Sequence, residues 1–331
     1  MFWDLLCLDS MPNFWTKLPR PFFALAPLAD VTDAALRHLV TRLGKPDVLW
    51  TEFVSADGLQ YTREIKKMPD TENPLLRDLS FDAAEHPIVA QIFSGNPETV
   101  AYASKLAASL GFDGIDLNMG CPDRAIEKQG AGAALIKNPE LATELIAAAK
   151  TAGLPVSVKT RIGYGKESLD EWLPVLFAAG PAAITLHLRT RKEMSLVPAD
   201  WESMKKAVAL RDRLAPRVLL IGNGDVASLE EGRHLAAETG CDGIMIGRGI
   251  FGNPWVFAGR KAEDTPIEEK LEALIELAHG FEKLSPPKNF AILKKHIKAF
   301  VLGFDGAAQL RAKLMQADTA DELERLAKEH I

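Results

Sequence analysis

Cys121 stands in the run Asn118-Met119-Gly120-Cys121-Pro122, directly after the short apolar stretch Gly114-Ile115-Asp116-Leu117. This arrangement sets a thiol in a loop at the end of a buried strand. An asparagine lies just ahead of it, a glycine lets the backbone approach a ligand, and a proline stiffens the exit. Loops held by a rigid scaffold are where chemistry usually sits. An isolated cysteine is more often a small buried hydrophobe, so the company this one keeps decides the matter.

That company is a set of polar residues, each at the end of an apolar run. Along the chain they are Ala26-Pro27-Leu28-Ala29-Asp30, Glu52, Gln91, Asn118 with Cys121, Lys159 with Arg161, His187, Asn223-Gly224-Asp225 and Gly247-Arg248-Gly249. Taken singly, each is an ordinary loop residue. Converging on one mouth, they would be costly to bury without a ligand. Lys159 supplies a fixed cation where a cofactor ring gains negative charge; its alternative is a structural ion pair with Glu52. Gln91 and Asn223 both donate and accept, which suits the edge of a flat heterocycle. The glycine turns after the last two apolar runs offer backbone N–H groups to a phosphate. His187 joins the same site beside Lys159 and Cys121. No HExxH or His/Cys spacing points to a metal, and no Ser/His/Asp logic is visible.

The elements that must position these residues alternate. Strand runs are expected at 22–26, 48–51, 88–92, 114–117, 156–159, 183–187, 218–221 and 243–246, with helical patterns between them such as 33–43, 97–110, 139–152 and 229–239. Asn96-Pro97 and Asn138-Pro139 place an N-cap residue before proline at the first helical position. The strands are continuously apolar, as when both faces are covered. Eight such βα units over about 235 residues make an α/β fold of the (β/α)8 TIM-barrel type, with a doubly wound sheet as the alternative. After residue 260 the pattern turns all-helical. Apolar residues at 271, 274, 275, 278 and 281 keep helical spacing, Ser285-Pro286-Pro287 ends that helix, and 289–302, 307–316 and 320–329 follow as three more. The expected domains are an N-terminal extension 1–20, a barrel 21–260 and a helical domain 261–331.

Three cysteines, at 7, 121 and 241, form no CxxC pair, which fits a reducing, cytoplasmic compartment. The apolar start lacks a basic region and a cleavage site, no run is long enough to span a membrane, and Met11 is a possible alternative start. A net charge of −6 argues weakly against nucleic acid. Residues 285–315 depart from that average, with Lys288, Lys294, Lys295, Lys298, Arg311 and Lys313 against the single carboxylate of Asp305.

With these residues in view, the chain resembles the tRNA-dihydrouridine synthase family. The matching segments are LAPLADVTDAALR at 25–37, TEFVSADGL at 51–59, GIDLNMGCPDRAIEKQGAGAAL at 114–135 and VSVKTRIGYG at 156–165. They continue with ITLHLRTRKEMSLVPADW at 184–201, IGNGD at 221–225, GCDGIMIGRGIFGNPWVF at 240–257 and LKKHIKAFVLGFDGAAQLRAKL at 293–314. Leu28 stands where methionine is usual, and Leu188 where glycine is frequent.

The resemblance implies reduction of the C5–C6 double bond of uridine in tRNA, with NADPH or NADH as electron source, hydride from FMN and the proton from Cys121. FMN would lie against Pro27, Leu28 and Ala29, with Gln91, Lys159 and His187 around its polar edge. Asn223, Gly224, Asp225, Gly247 and Arg248 would hold its phosphate side. Asn118, Lys159, Arg161, His187 and Arg189 would surround the target uracil, and the helical C-terminal part, with Lys294, Lys295 and Lys298, would bind tRNA. No metal, membrane or obligate protein partner is implied. A flavin barrel acting on a free pyrimidine would share the mouth but would not need the basic helices.

Overall fold

The computed structural model describes residues 13–330, so Cys7, Met11 and most of the expected extension lie outside the described residues. Its strands are β1 (Phe22–Leu25), β2 (Leu49–Trp50), β3 (Val54–Ser55), β4 (Ile88–Phe93), β5 (Gly114–Met119), β6 (Val156–Arg161), β7 (Ala183–His187), β8 (Leu219–Asn223) and β9 (Gly243–Ile246). All pairings are parallel, in the order β1-β9-β8-β7-β6-β5-β4-β2, with β3 also on β4. β2 and β3 pair in succession with β4 and are two halves of one stave, so the barrel has eight. The ring closes where Phe22 pairs with Gly243 on one side of β1 and Ala24 bridges to Val48 on the other. A doubly wound sheet would leave two free edges, and that alternative is set aside.

The barrel helices are α1 (Ala34–Gly44), α2 (Ala56–Gln60), α3 (Pro74–Asp78), α4 (Pro97–Ser109), α5 (Arg124–Glu127), α6 (Pro139–Lys150), α7 (Leu169–Ala179), α8 (Glu202–Leu214) and α9 (Leu229–Thr239). Their starts follow from the sequence. The side chains of Asp33, Asn96, Asn138 and Ser228 each accept a first-turn backbone N–H, with Pro97 and Pro139 at the first helical position. Beyond the barrel come α10 (Ile267–Glu282), α11 (Lys294–Phe300), α12 (Ala307–Leu314) and α13 (Ala320–Lys328). α10 packs on α1 as well as on α11 and α13, so the C-terminal helices share one apolar core with the outside of the barrel. On the α10–α13 contact, His279 Nε2 lies 2.5 Å from a Glu324 carboxylate oxygen. The expected helix 289–302 is shorter, because Asn289 caps a single 3-10 turn before α11 begins at Lys294. No helix among the described residues is long and apolar enough to cross a membrane.

Alternation along the strands divides the barrel interior into layers. At the N-terminal end, Phe22, Ala24, Trp50, Val89, Ala183, Ile221 and Met245 form an apolar floor, closed from below by Trp15 on the turn Phe14–Lys17. Gly243 is required there: a Cβ would lie 2.5 Å from the ring of Phe22, which could not then fill the floor. Two residues further along β4, β7 and β8 the interior becomes polar, at Gln91, Thr185 and Asn223.

Candidate active site

The inward position above the apolar floor is taken by Gln91, Asp116 and Ser157, and the one above that by Asn118, Lys159 and Asn223. Strand register sets these side by side: Gln91 pairs with Asp116, Asn118 with Lys159, Arg161 with His187, and His187 with Asn223. β4, β5, β6 and β8 therefore run one or two residues past their expected ends, because the ladder continues beyond the apolar run in the sequence, whereas β7 and β9 end as expected and β1 and β2 stop one residue short. Above them opens a cavity of about 700 Å³ at the C-terminal ends of the strands, within the range of ligand pockets. Pro27, Leu28, Ala29, Gln91, Lys159, His187, Asn223, Gly224, Asp225, Gly247 and Arg248 all line it. So do Asn118, Cys121, Arg161 and Arg189.

One hydrogen-bonded chain fixes the floor. Ser157 Oγ and Gln91 Nε2 donate to the two carboxylate oxygens of Asp116 at 2.5 and 2.6 Å. Asn118 Nδ2 then donates to Gln91 Oε1 at 3.1 Å, and its own Oδ1 accepts the N–H groups of Gly120 (3.2 Å) and Cys121 (2.9 Å). The asparagine thus orients the cysteine loop. Asp116 is not among the residues that the sequence singles out, although strand alternation places it inward two positions before Asn118. Burial pushes its carboxyl up to about 6.

The cations are held without neutralisation. Lys159 Nζ donates to Asn223 Oδ1 at 3.1 Å, while Asn223 Nδ2 donates to Met245 O at 2.9 Å. Burial and, secondarily, Arg161 bring the Lys159 ammonium down to about 8. The ion pair with Glu52 does not form: Glu52 Oε2 accepts from Lys288 at 2.6 Å, and its other oxygen accepts from the N–H of Asp30. Arg161 is buried and donates only to carbonyls, those of Gly120 (2.7 Å), Thr190 (3.1 Å) and Met194 (2.8 Å). Burial lowers it to about 10.

His187 is neutral, because burial first and then the charges of Lys159, Arg161, Arg189 and Arg248 hold its pKa far below the usual value. Arg189 Nη1 lies 3.2 Å from its Nε2. A guanidinium only donates, so Nε2 is the acceptor and Nδ1 carries the proton. Cys121 is a free, half-buried thiol. Its pKa is raised by burial, so it stays protonated at neutral pH.

On the far wall, Asp225 accepts from Arg189, Arg248 and the N–H of Ala199. Gly224, at φ +146°, has no room for a side chain, since a Cβ would meet Ala199 Cβ at 2.6 Å. Leu188, by contrast, is fully buried in the apolar core and does not face the mouth. Lys294, Lys295 and Lys298 stand on α11, outside the cavity lining. That helix is nonetheless adjacent: the ring of Phe251, a cavity residue, stacks at 5.9 Å on His296 of α11.

A closed parallel barrel whose cavity opens at the strand C-termini defines a TIM-barrel enzyme. Histamine dehydrogenase from Rhizobium sp. 4-9 shares the barrel at TM-score 0.53 and 14% identity, over 82% of this chain and 50% of that one. A 2-naphthoyl-CoA reductase does so at TM-score 0.51 and 11% identity, over 71% and 49%. This chain spans about half the length of each, and the likeness is one of fold. The sequence is more specific. Residues 24–331 match the family "Dihydrouridine synthase (Dus)", and the chain belongs to that family of oxidoreductases. It is 42% identical over 320 residues to "Probable tRNA-dihydrouridine synthase" of Staphylococcus aureus (strain Mu50 / ATCC 700699), covering 96% of this chain and 95% of the relative. Against "Probable tRNA-dihydrouridine synthase 2" of Bacillus subtilis (strain 168) it is 42% identical over 321 residues, covering 95% of each.

Proposed function

We propose that this protein is a flavin-dependent tRNA-dihydrouridine synthase that holds FMN in the barrel mouth and reduces uridine in tRNA with NADPH or NADH. The observation that carries the reading is Lys159. It is a half-buried ammonium on the cavity wall, bonded to the neutral amide of Asn223 and to no carboxylate among the described residues. A desolvated cation left in this state is satisfied by a ligand that bears negative charge. The donor set fits a flavin. Gln91 and Asn223 offer amides to a ring edge, Pro27, Leu28 and Ala29 give an apolar face, and the backbone from Gly224 to Asp225 and at Gly247–Arg248 can meet a phosphate. FMN is favoured over FAD because the described residues hold no separate dinucleotide fold beside the barrel.

When bound, the flavin supplies hydride chemistry that no side chain here offers. The chain's residues do the rest. Lys159 keeps positive charge beside the ring system. His187, with its proton on Nδ1, and the amide of Asn118 offer hydrogen bonds to the uracil edge, and Arg161 fixes Gly120 and hence the cysteine loop. The thiol of Cys121 holds the proton for C5 of the target ring. The uridine must leave the base stack to reach this cavity. In the same reading, residues 21–260 are the catalytic barrel and 261–331 the part that engages tRNA.

The test is direct. The purified protein is expected to release FMN on denaturation and, given NADPH and tRNA from a strain lacking the enzyme, to generate dihydrouridine detectable by nucleoside analysis. Recovery of FAD alone, or reduction of free pyrimidines in preference to tRNA, would overturn it.

A further inference from the structure

The loop between β7 and α8 rises at the rim of the cavity, where Ser195 forms part of the lining. Its tip is apolar and open to solvent: Met194 is 38% exposed, Val197 40% and Leu196 86%. A single exposed leucine needs no explanation, but three apolar side chains within four residues at the edge of a site do.

The tip is braced on both sides. Arg161, from inside the barrel, donates to Thr190 O at 3.1 Å and Met194 O at 2.8 Å. Arg189, equally buried, donates to Val197 O at 2.6 Å. The Glu193 carboxylate accepts from the N–H and hydroxyl of Thr190 at 2.7 and 2.9 Å. Arg191 ties the loop to the cysteine loop, donating to Pro122 O at 3.1 Å and to Glu127 at 3.0 Å. Met194 adopts φ +57°, a region that non-glycine residues seldom enter. Such backbone persists where its surroundings over-determine it, which is common at ligand clamps. The same two arginines that reach the cavity therefore also fix the apolar tip against it.

We propose that Met194 and Leu196 form a wedge that fills the gap left in the RNA base stack when the target uridine is swung into the cavity. This rests on the tRNA reading above. Removing a base from its stack costs the stacking it made, and leucine and methionine inserted between base steps are an established way to replace it. The surroundings favour a nucleic acid over an apolar partner: exposed Lys192 adjoins the tip, and the cavity behind it is lined with cations.

The experiment uses Leu196→Ser in the FMN-loaded protein, with tRNA carrying 2-aminopurine next to the uridine that the wild type reduces. FMN content and NADPH-driven flavin reduction should be unchanged. At saturating tRNA, single-turnover uridine reduction should slow roughly 10-fold, the scale of one lost stacking contact. The fluorescence rise that reports unstacking should shrink with it, and Leu196→Met should restore both. Wild-type rates and fluorescence in Leu196→Ser, or a loss that Leu196→Met does not repair, would overturn the wedge. Failure of the wild type to form dihydrouridine in tRNA would instead overturn the functional reading on which the wedge rests.

Discussion

The cavity mouth and the C-terminal helices both look basic in the sequence, yet they hold their charge in opposite ways. At the mouth, half-buried Lys159 and buried Arg161 are bonded to an amide and to carbonyls, with no ion pair among the described residues. In the C-terminal segment three of the six cations, Lys288, Lys294 and Lys313, are paired with carboxylates. Lys288 lies 4% exposed among Glu52 (2.6 Å), Asp78 (3.3 Å) and Asp30 (4.0 Å). Lys294 pairs with Asp318 at 2.9 Å, and Lys313 pairs with Glu329. Arg311 donates to Val301 O at 3.0 Å. A charge count therefore overstates the segment and understates the mouth. What binds an anion is a cation whose partner is missing, and burial is what makes a missing partner matter.

The largest expected effect lies at the mouth. Cys121→Ala should slow reduction of tRNA uridine by roughly 10²–10⁴-fold, the usual worth of a positioned general acid. Flavin reduction by NADPH should survive, since the thiol has no part in it, and stopped-flow measurement of the two half-reactions separates them. Equal loss in both would mean damage to the fold. The pH profile sharpens the contrast. As pH rises, Lys159 loses its proton near 8, whereas burial keeps the thiol protonated beyond its ordinary range. An alkaline fall near pH 8 should therefore appear in the flavin half-reaction and persist in Cys121→Ala.

Lys288 and Lys159 should respond oppositely in stability. Lys288→Met strands Glu52 beside Asp78 and should cost about 3–5 kcal/mol in denaturant unfolding, as for one partner of a buried ion pair. Lys159→Met should instead stabilise the flavin-free protein while abolishing FMN retention. The sign follows from linkage. The folded state binds the Lys159 proton more weakly than the unfolded chain does, so the lysine's penalty is full below about pH 8 and is relieved as pH rises toward the ordinary lysine value. Destabilisation of the flavin-free protein by Lys159→Met would refute the view of Lys159 as an unneutralised cation.

Much of this was legible in the sequence. The βα alternation and the N-cap residues gave the barrel, and the polar residue at each strand end marked the mouth. What escaped was whatever depends on register. Alternation with Asn118 turns Asp116 inward, but its role arises only when β4 and β6 bring Gln91 and Ser157 alongside it. The strands that bear Asn118, Arg161 and Asn223 looked shorter than they are, since an apolar run ends where a ladder need not. Lys288 was counted with the basic helices because its partner Glu52 is 236 positions distant. Charge is written in sequence, but its neutralisation is a tertiary contact.

The smallest effect belongs to α11 and tests whether any of its charge is free for RNA. Lys298 is exposed and Lys295 half-buried, and neither makes an ion pair among the described residues, whereas Lys294 is held by Asp318. Each phosphate contact releases a counterion and contributes roughly 0.7–0.9 to the slope of log affinity against log salt. Lys295→Ala with Lys298→Ala should therefore weaken tRNA binding a few-fold at moderate salt and flatten the slope by about 1.5, with FMN content unchanged. Adding Lys294→Ala should change the slope little further, because that ammonium already has a carboxylate. A salt titration in which Lys294→Ala alone matches the double variant would show that tRNA displaces Asp318, and that an ion pair at this surface does not keep a lysine from a phosphate. A double variant that binds tRNA as the wild type does at every salt concentration would place the RNA away from α11, leaving the rim of the cavity as its main point of contact.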